Sequence, residues 1–120
     1  MASALVHVLT IDQTANGDNN NTASRDLGMG PIIDANGWYH LGPNQERFDI
    51  HITASAVTTG FTVQVYVALA DGSEHAYGPA TVISADGDYS IFQDDVTAQK
   101  IKLKMSARTD GTLNAEIHSI

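Results

Sequence analysis

Five histidines, His7, His40, His51, His75 and His118, are the side chains best suited to proton transfer or metal binding. Their spacing builds no familiar site. No two stand four apart on a helical pattern, as a metalloprotease helix requires, and there is no His-x-His pair. His51 and His118 fall at outward positions of alternating runs, where scattered surface histidines belong. Asp86-Gly87-Asp88 and Asp94-Asp95 gather carboxylate oxygens, but Tyr89 follows Asp88 and the Asp-x-Asp-x-Asp-Gly calcium loop is missing. These aspartates are expected to form turns. No pair of acids stands out for glycoside hydrolysis, and no serine sits in a Gly-x-Ser-x-Gly elbow. Gly28-Met29-Gly30-Pro31 lacks the lysine of a phosphate loop and opens no helical pattern, so it is expected to turn the chain. The absence of cysteine excludes disulfides, Cys-ligated zinc and thiol catalysis. No catalytic, cofactor-binding or metal-binding residue is nominated, and the chain is expected not to be an enzyme.

Binding has better candidates. All the lysines fall at Lys100, Lys102 and Lys104, on one face of one alternating run. In a chain of net charge -8 and pI near 4.7 they form a local basic ridge. One reading is an edge strand guarded by charge against sheet-to-sheet aggregation. Another is a docking ridge for acidic groups on a partner or a neighbouring copy. Three lysines in a negative field are too few to track a phosphate backbone, so nucleic acid is not an expected partner. The polar stretch 12–24, with Asn16-Gly17-Asp18-Asn19-Asn20-Asn21 at its centre, reads as a mobile connection or as a contact loop that orders on assembly. The nominated interface residues are therefore Lys100, Lys102, Lys104, Asn19, Asn20 and Asn21. Among the aromatics, Trp38 reads as a plug of the core or its rim, while Trp38, Tyr39 and Tyr66 together are the side chains that could stack on sugar rings.

The elements that must position these residues alternate with period two. Phe48, Ile50 and Ile52 alternate with Asp49, His51 and Thr53. The same holds for Phe61, Val63, Val65, Val67 and Leu69, for Ile101, Leu103 and Met105, and for Leu113, Ala115 and Ile117. Successive strand side chains point to opposite faces, so each run has a dry face and a wet one, the signature of antiparallel sheets. Asp34-Ala35-Asn36-Gly37, Asp71-Gly72-Ser73, Ala85-Asp86-Gly87 and Asp110-Gly111 punctuate the runs and read as tight hairpin turns. The expected fold is all-β, an antiparallel β-sandwich or small barrel of about eight to ten short strands. One turn of helix around Asp94-Asp95-Val96-Thr97-Ala98 is expected to cross between sheets. With 120 residues, 42% hydrophobic and 17% charged, the chain fits one domain over 1–120. Residues 1–11 form a strand or arm and 12–24 the polar loop. The apolar run Ala4–Leu9 lacks the basic start of a signal peptide and is too short to span a bilayer, so no membrane is expected.

Two segments carry a resemblance. Phe61-Thr62-Val63-Gln64-Val65-Tyr66-Val67-Ala68-Leu69-Ala70-Asp71-Gly72-Ser73 is a long strand ending in Asp-Gly-Ser, with the next aromatic at Tyr77. Ala98-Gln99-Lys100-Ile101-Lys102-Leu103-Lys104 alternates charge with aliphatic residues. Over residues 46–120 this plan resembles the head decoration, or cement, proteins of tailed bacteriophages and related small β-sandwich virion proteins. The resemblance implies a non-enzymatic structural protein on the outer surface of the phage capsid, without cofactor. It implies the major capsid protein and further copies of itself, as a homotrimer, as partners, and a shell stabilised by multivalent contacts. The alternatives are a tail- or fibre-associated part and a carbohydrate-binding or adhesin-like sandwich.

Overall fold

The computed structural model describes residues 5–21, 33–34, 36–41, 47–69, 71–94 and 100–119. The strands, in chain order, are β1 (Leu5–Gln13), β2 (Gly17–Asp18), β3 (Tyr39–His40), β4 (Phe48–Ser55), β5 (Phe61–Ala68), β6 (Glu74–Ala76), β7 (Thr81–Ile83), β8 (Gly87–Gln93), β9 (Lys100–Ser106) and β10 (Thr112–Ser119). They form two antiparallel sheets. One runs β1-β10-β4-β8. The other has β5 and β9 at its centre, with β2 and β3 along the far edge of β9 and β6 and β7 along the far edge of β5. No helix occurs among the described residues. The fold is the expected all-β sandwich.

The alternating runs supply the core. Phe48, Ile50 and Ile52 of β4 and Ala115 and Ile117 of β10 pack in one cluster with Phe61, Val63, Val65 and Val67 of β5 and Ile101, Leu103 and Met105 of β9. Each fully buried aliphatic or aromatic side chain contributes roughly 1.5–3 kcal/mol through apolar area removed from water. Leu69 departs from the expected inward set. β5 ends at Ala68, and Leu69 lies in the following turn, 48% exposed.

Two further expectations are corrected. The Lys100–Lys104 run is not an edge strand: β9 lies between β5 on one side and β2 and β3 on the other. And two of the four Asp-Gly or Asn-Gly turns are arches between sheets instead of hairpins. Ala85-Asp86-Gly87 leads from β7, paired to β5, into β8, paired to β4. Asp110-Gly111 leads from β9 into β10, again across the sandwich. The local chemistry is the same, a residue at positive φ (Gly111 at 104°), so the dipeptide alone does not distinguish the two.

The arches lock one another. The Asp110 carboxylate accepts hydrogen bonds from the backbone N–H groups of Thr58, Thr59 and Gly60 in the β4–β5 connection. Asp86 accepts from the Val57 N–H at 2.7 Å. Gly60, at φ 105°, lies so close to β7 that a Cβ there would sit 1.8 Å from the Ile83 carbonyl oxygen. The helical turn expected around Asp94–Ala98 falls largely on residues 95–98, outside the described residues; the strands it joins, β8 and β9, do lie in different sheets.

Candidate interaction face

The outer face of the β5–β9 sheet carries the nominated lysines, with Asn19 bonded to the strand that bears them. Because Ile101, Leu103 and Met105 point inward, the intervening Lys102 and Lys104 project from the other side of β9. Register places Lys104 opposite Asp18 of β2 and opposite Gln64 of β5, and Lys102 opposite Tyr66. Lys102 Nζ bonds Asp18 Oδ2 at 3.0 Å, lies 3.9 Å from Glu74 Oε2 and sits over the Trp38 ring, 4.2 Å from its centroid. It is only 5% exposed. Lys104 Nζ bonds Glu74 Oε1 at 2.7 Å, lies 3.8 Å from Asp18 and 4.7 Å from the Tyr66 centroid. The hydrogen bond to Glu74 holds the Lys104 ammonium above the usual lysine range, against the opposing pull of partial burial. Thus the ridge is not a free cationic surface. Two of its three charges are matched within the chain, and each of these two ammonium groups also lies over an aromatic ring. Lys100, half-buried, stands opposite His40.

The asparagine segment is not a mobile tip. Asn19 is 3% exposed and acts as a piece of strand. Its backbone N–H donates to the Leu103 carbonyl at 2.8 Å, its Oδ1 accepts from the Leu103 N–H at 2.9 Å, and its Nδ2 donates to the Gly37 carbonyl at 3.0 Å. Asn20 donates to and accepts from the Ile11 backbone, and Asn21 Nδ2 donates to the Val8 carbonyl. So the two nominated sets, though far apart in sequence, are neighbours: Asn19 clips onto the strand that carries the lysines. Asn19 itself is enclosed, while Asn20 is exposed.

Trp38 is positioned by Asp34, whose carboxylate accepts from the Asn36 and Trp38 N–H groups and meets His40 Nε2 at 3.0 Å. Burial pushes the Asp34 carboxyl up, but these bonds outweigh it and hold it below the usual range. Tyr39, named with Trp38 as a sugar contact, is fully buried in the core and cannot serve. An open cleft of about 550 Å³ remains beside Trp38, lined by Asp18, Asn19, Asn36, Trp38, Gly72, Glu74 and Lys102. Asp18 and Glu74 were not singled out by sequence. The signal for Glu74 was its place just after the Asp71-Gly72-Ser73 turn, which folds β6 back along β5.

On the opposite sheet, His51 and His118 lie in contact with ring centroids 4.5 Å apart and planes tilted by 49°. His51 Nε2 meets Asp49 Oδ2 and His118 Nε2 meets Glu116 Oε1, each at 3.1 Å. Among the described residues no group of three or more His, Asp or Glu side chains is arranged to hold a metal. Ser73 donates its hydroxyl to Asp71 and lies 3.2 Å from His75 Nε2. The serine is therefore in the middle of that trio, whereas nucleophile activation needs the imidazole there. His7 packs beside Tyr39, and burial lowers its pKa.

No protein-family model and no curated protein matches this chain. Among solved structures it is similar to the crystal structure of the SPBc2 prophage-derived protein YomS, with a TM-score of 0.65 and 11% identity. The likeness covers 98% of this chain and 94% of that one. At this identity it is a likeness of fold: both chains share one sandwich nearly end to end.

Proposed function

We propose that this chain is a non-enzymatic phage structural protein, a decoration or cement protein that attaches to the outer surface of the capsid and stabilises the shell. The observation that carries the reading is the fold shared over nearly the whole of both chains with a protein of prophage origin. The β9 face supports it. Lys102 and Lys104, clamped between Asp18 and Glu74 and backed by Trp38 and Tyr66, form a rigid polar surface whose donors and acceptors are ordered before any partner arrives. Preorganised, charge-balanced surfaces of this type select a complementary partner while losing little side-chain freedom on contact. The coat protein is the proposed partner, met by several copies at once, as a trimer, so that weak single contacts add into avidity. The test is co-sedimentation with assembled capsids against free coat protein. Binding to the former alone supports the reading, and binding to neither sinks it.

A second reading, a carbohydrate-binding sandwich, is favoured by one feature. The cleft places an aromatic ring, Trp38, beside the carboxylates of Asp18 and Glu74 and the amide of Asn36. Titration with oligosaccharides, followed by Trp38 fluorescence, separates the two, since the cement reading predicts no change.

A further inference from the structure

The outward face of the β1-β10-β4-β8 sheet carries four ionisable side chains in a checkerboard. Phe48, Ile50, Ile52, Ala115 and Ile117 point inward, so Asp49 and His51 of β4 and Glu116 and His118 of β10 point out. Register sets Asp49 beside His118 and His51 beside Glu116. Each row and each column of the square therefore holds one acid and one imidazole. Such a square has a geometric property. Under a twofold axis in the plane of the face, parallel to the strands and between β4 and β10, a second copy presents Asp49 to His118 and Glu116 to His51, twice over. The same operation lays the β1 side, with exposed Val8 and Ile11, against the β8 side, with exposed Phe92.

We propose that two copies of this chain pair face to face through this sheet, and that imidazole protonation gates the pairing. With both imidazoles charged, the four groups sum to zero and alternate in sign, so facing squares attract. With both neutral, each square carries two uncompensated carboxylates, and facing squares repel. The flanks oppose the pairing without reversing this sign. On β8, Asp88 is negative and Ser90 and Phe92 are neutral; on β1, Asp12 is negative and Val8 and Ile11 are neutral. Asp12 and Asp88 end one row across the sheet, so the twofold sets Asp12 against the second copy's Asp88, a repulsion made twice and equal at both pH values, against four attractive contacts when the imidazoles are charged. Imidazole charge, which ordinarily changes between pH 5 and 8, is thus the variable that decides. The occupant is a second copy because the pattern is complementary to itself. This pairing does not rest on the attachment reading, since the β9 face lies on the other side of the sandwich and stays free.

Sedimentation equilibrium of the full chain at low salt, at pH 6 and pH 8, tests it. The expected result is a mass at pH 6 at least twice that at pH 8. His51→Gln and His118→Gln, both at exposed or half-exposed positions, should each weaken the pairing at pH 6 by about tenfold or more. His75→Gln, on the other sheet, should leave it unchanged. The pair His51→Glu with Glu116→Lys restores facing opposite charges and should double in mass at both pH values, whereas Glu116→Lys alone should not double at either. An unchanged mass between the two pH values in the wild type overturns the proposal. So does wild-type doubling in either glutamine variant.

Discussion

Asn19→Ala isolates one claim, that this asparagine completes the central sheet. The side chain is enclosed and makes two hydrogen bonds, Oδ1 from the Leu103 N–H at 2.9 Å and Nδ2 to the Gly37 carbonyl at 3.0 Å. Alanine leaves both backbone groups buried without a partner. A buried group left unsatisfied costs about 1–3 kcal/mol, so the pair costs about 3 kcal/mol in total. For a chain of 120 residues that is a fall in Tm of roughly 10 °C. The assay is urea denaturation followed by circular dichroism, with thermal melts alongside. Asn20→Ala is the matched comparison. It also loses two bonds, with the Ile11 backbone, but on an exposed residue where water replaces them, and it should cost about 1 kcal/mol at most. If the two variants lose equal stability, or Asn19→Ala loses under about 1 kcal/mol, the account of the segment as a structural clip is refuted.

Lys102→Ala removes a buried side chain whose ammonium lies over Trp38 and strands the Asp18 pairing, and should cost about 2–3 kcal/mol. Lys102→Met keeps the stem and should cost about 1 kcal/mol at most, as urea melts will show. Asp110 is held below the usual carboxylate range, first by the Thr58 and Thr59 N–H groups and then by Gly60 and Arg108. Its contribution is present above the unfolded pKa of about 3.9 and is lost as pH falls through the lowered folded value. Asp110→Asn should therefore flatten the acid limb of a stability–pH profile below about pH 4 while the wild type falls. Gly60→Ala would drive a Cβ to 1.8 Å from the Ile83 carbonyl at positive φ, and should lower stability by about 3 kcal/mol or more in the same melts.

Much of the frame was legible because its signals are local and repeated. The inward sets of β4, β9 and β10 follow directly from alternation, and so does the sandwich. In β1 the rule fails. Leu9 and Thr10 are both buried, and the register to β10 shifts between Val8 and Thr10, a bulge that no residue type announces. The arches were misread because positive φ serves an inter-sheet crossing as well as a hairpin. The site was legible in part. Lysine spacing located the face, but its character depends on Asp18 and Glu74, and the Asn19–Leu103 clip joins residues 84 apart in the chain. No window of sequence displays such a pairing. Asparagine-rich composition suggested exposure for a residue that is in fact walled in. Tyr39 was misplaced for a simpler reason. It opens β3, where alternation gives one of Tyr39 and His40 the inward place, and that place is Tyr39's, while Trp38 lies just before the strand.

The most direct test of the proposed capsid attachment uses assembled capsids of the phage proposed to encode this chain, prepared without this protein. Purified chain is titrated onto them and pelleted, and bound copies per capsid are counted. The account predicts saturable binding at a fixed ratio of copies to coat subunits, a rise in the capsid's melting temperature on saturation, and weaker binding when Trp38→Ala and Lys104→Glu disturb the β9 face. A chain that stays in the supernatant at every concentration, leaving the capsid's melting unchanged, would contradict it.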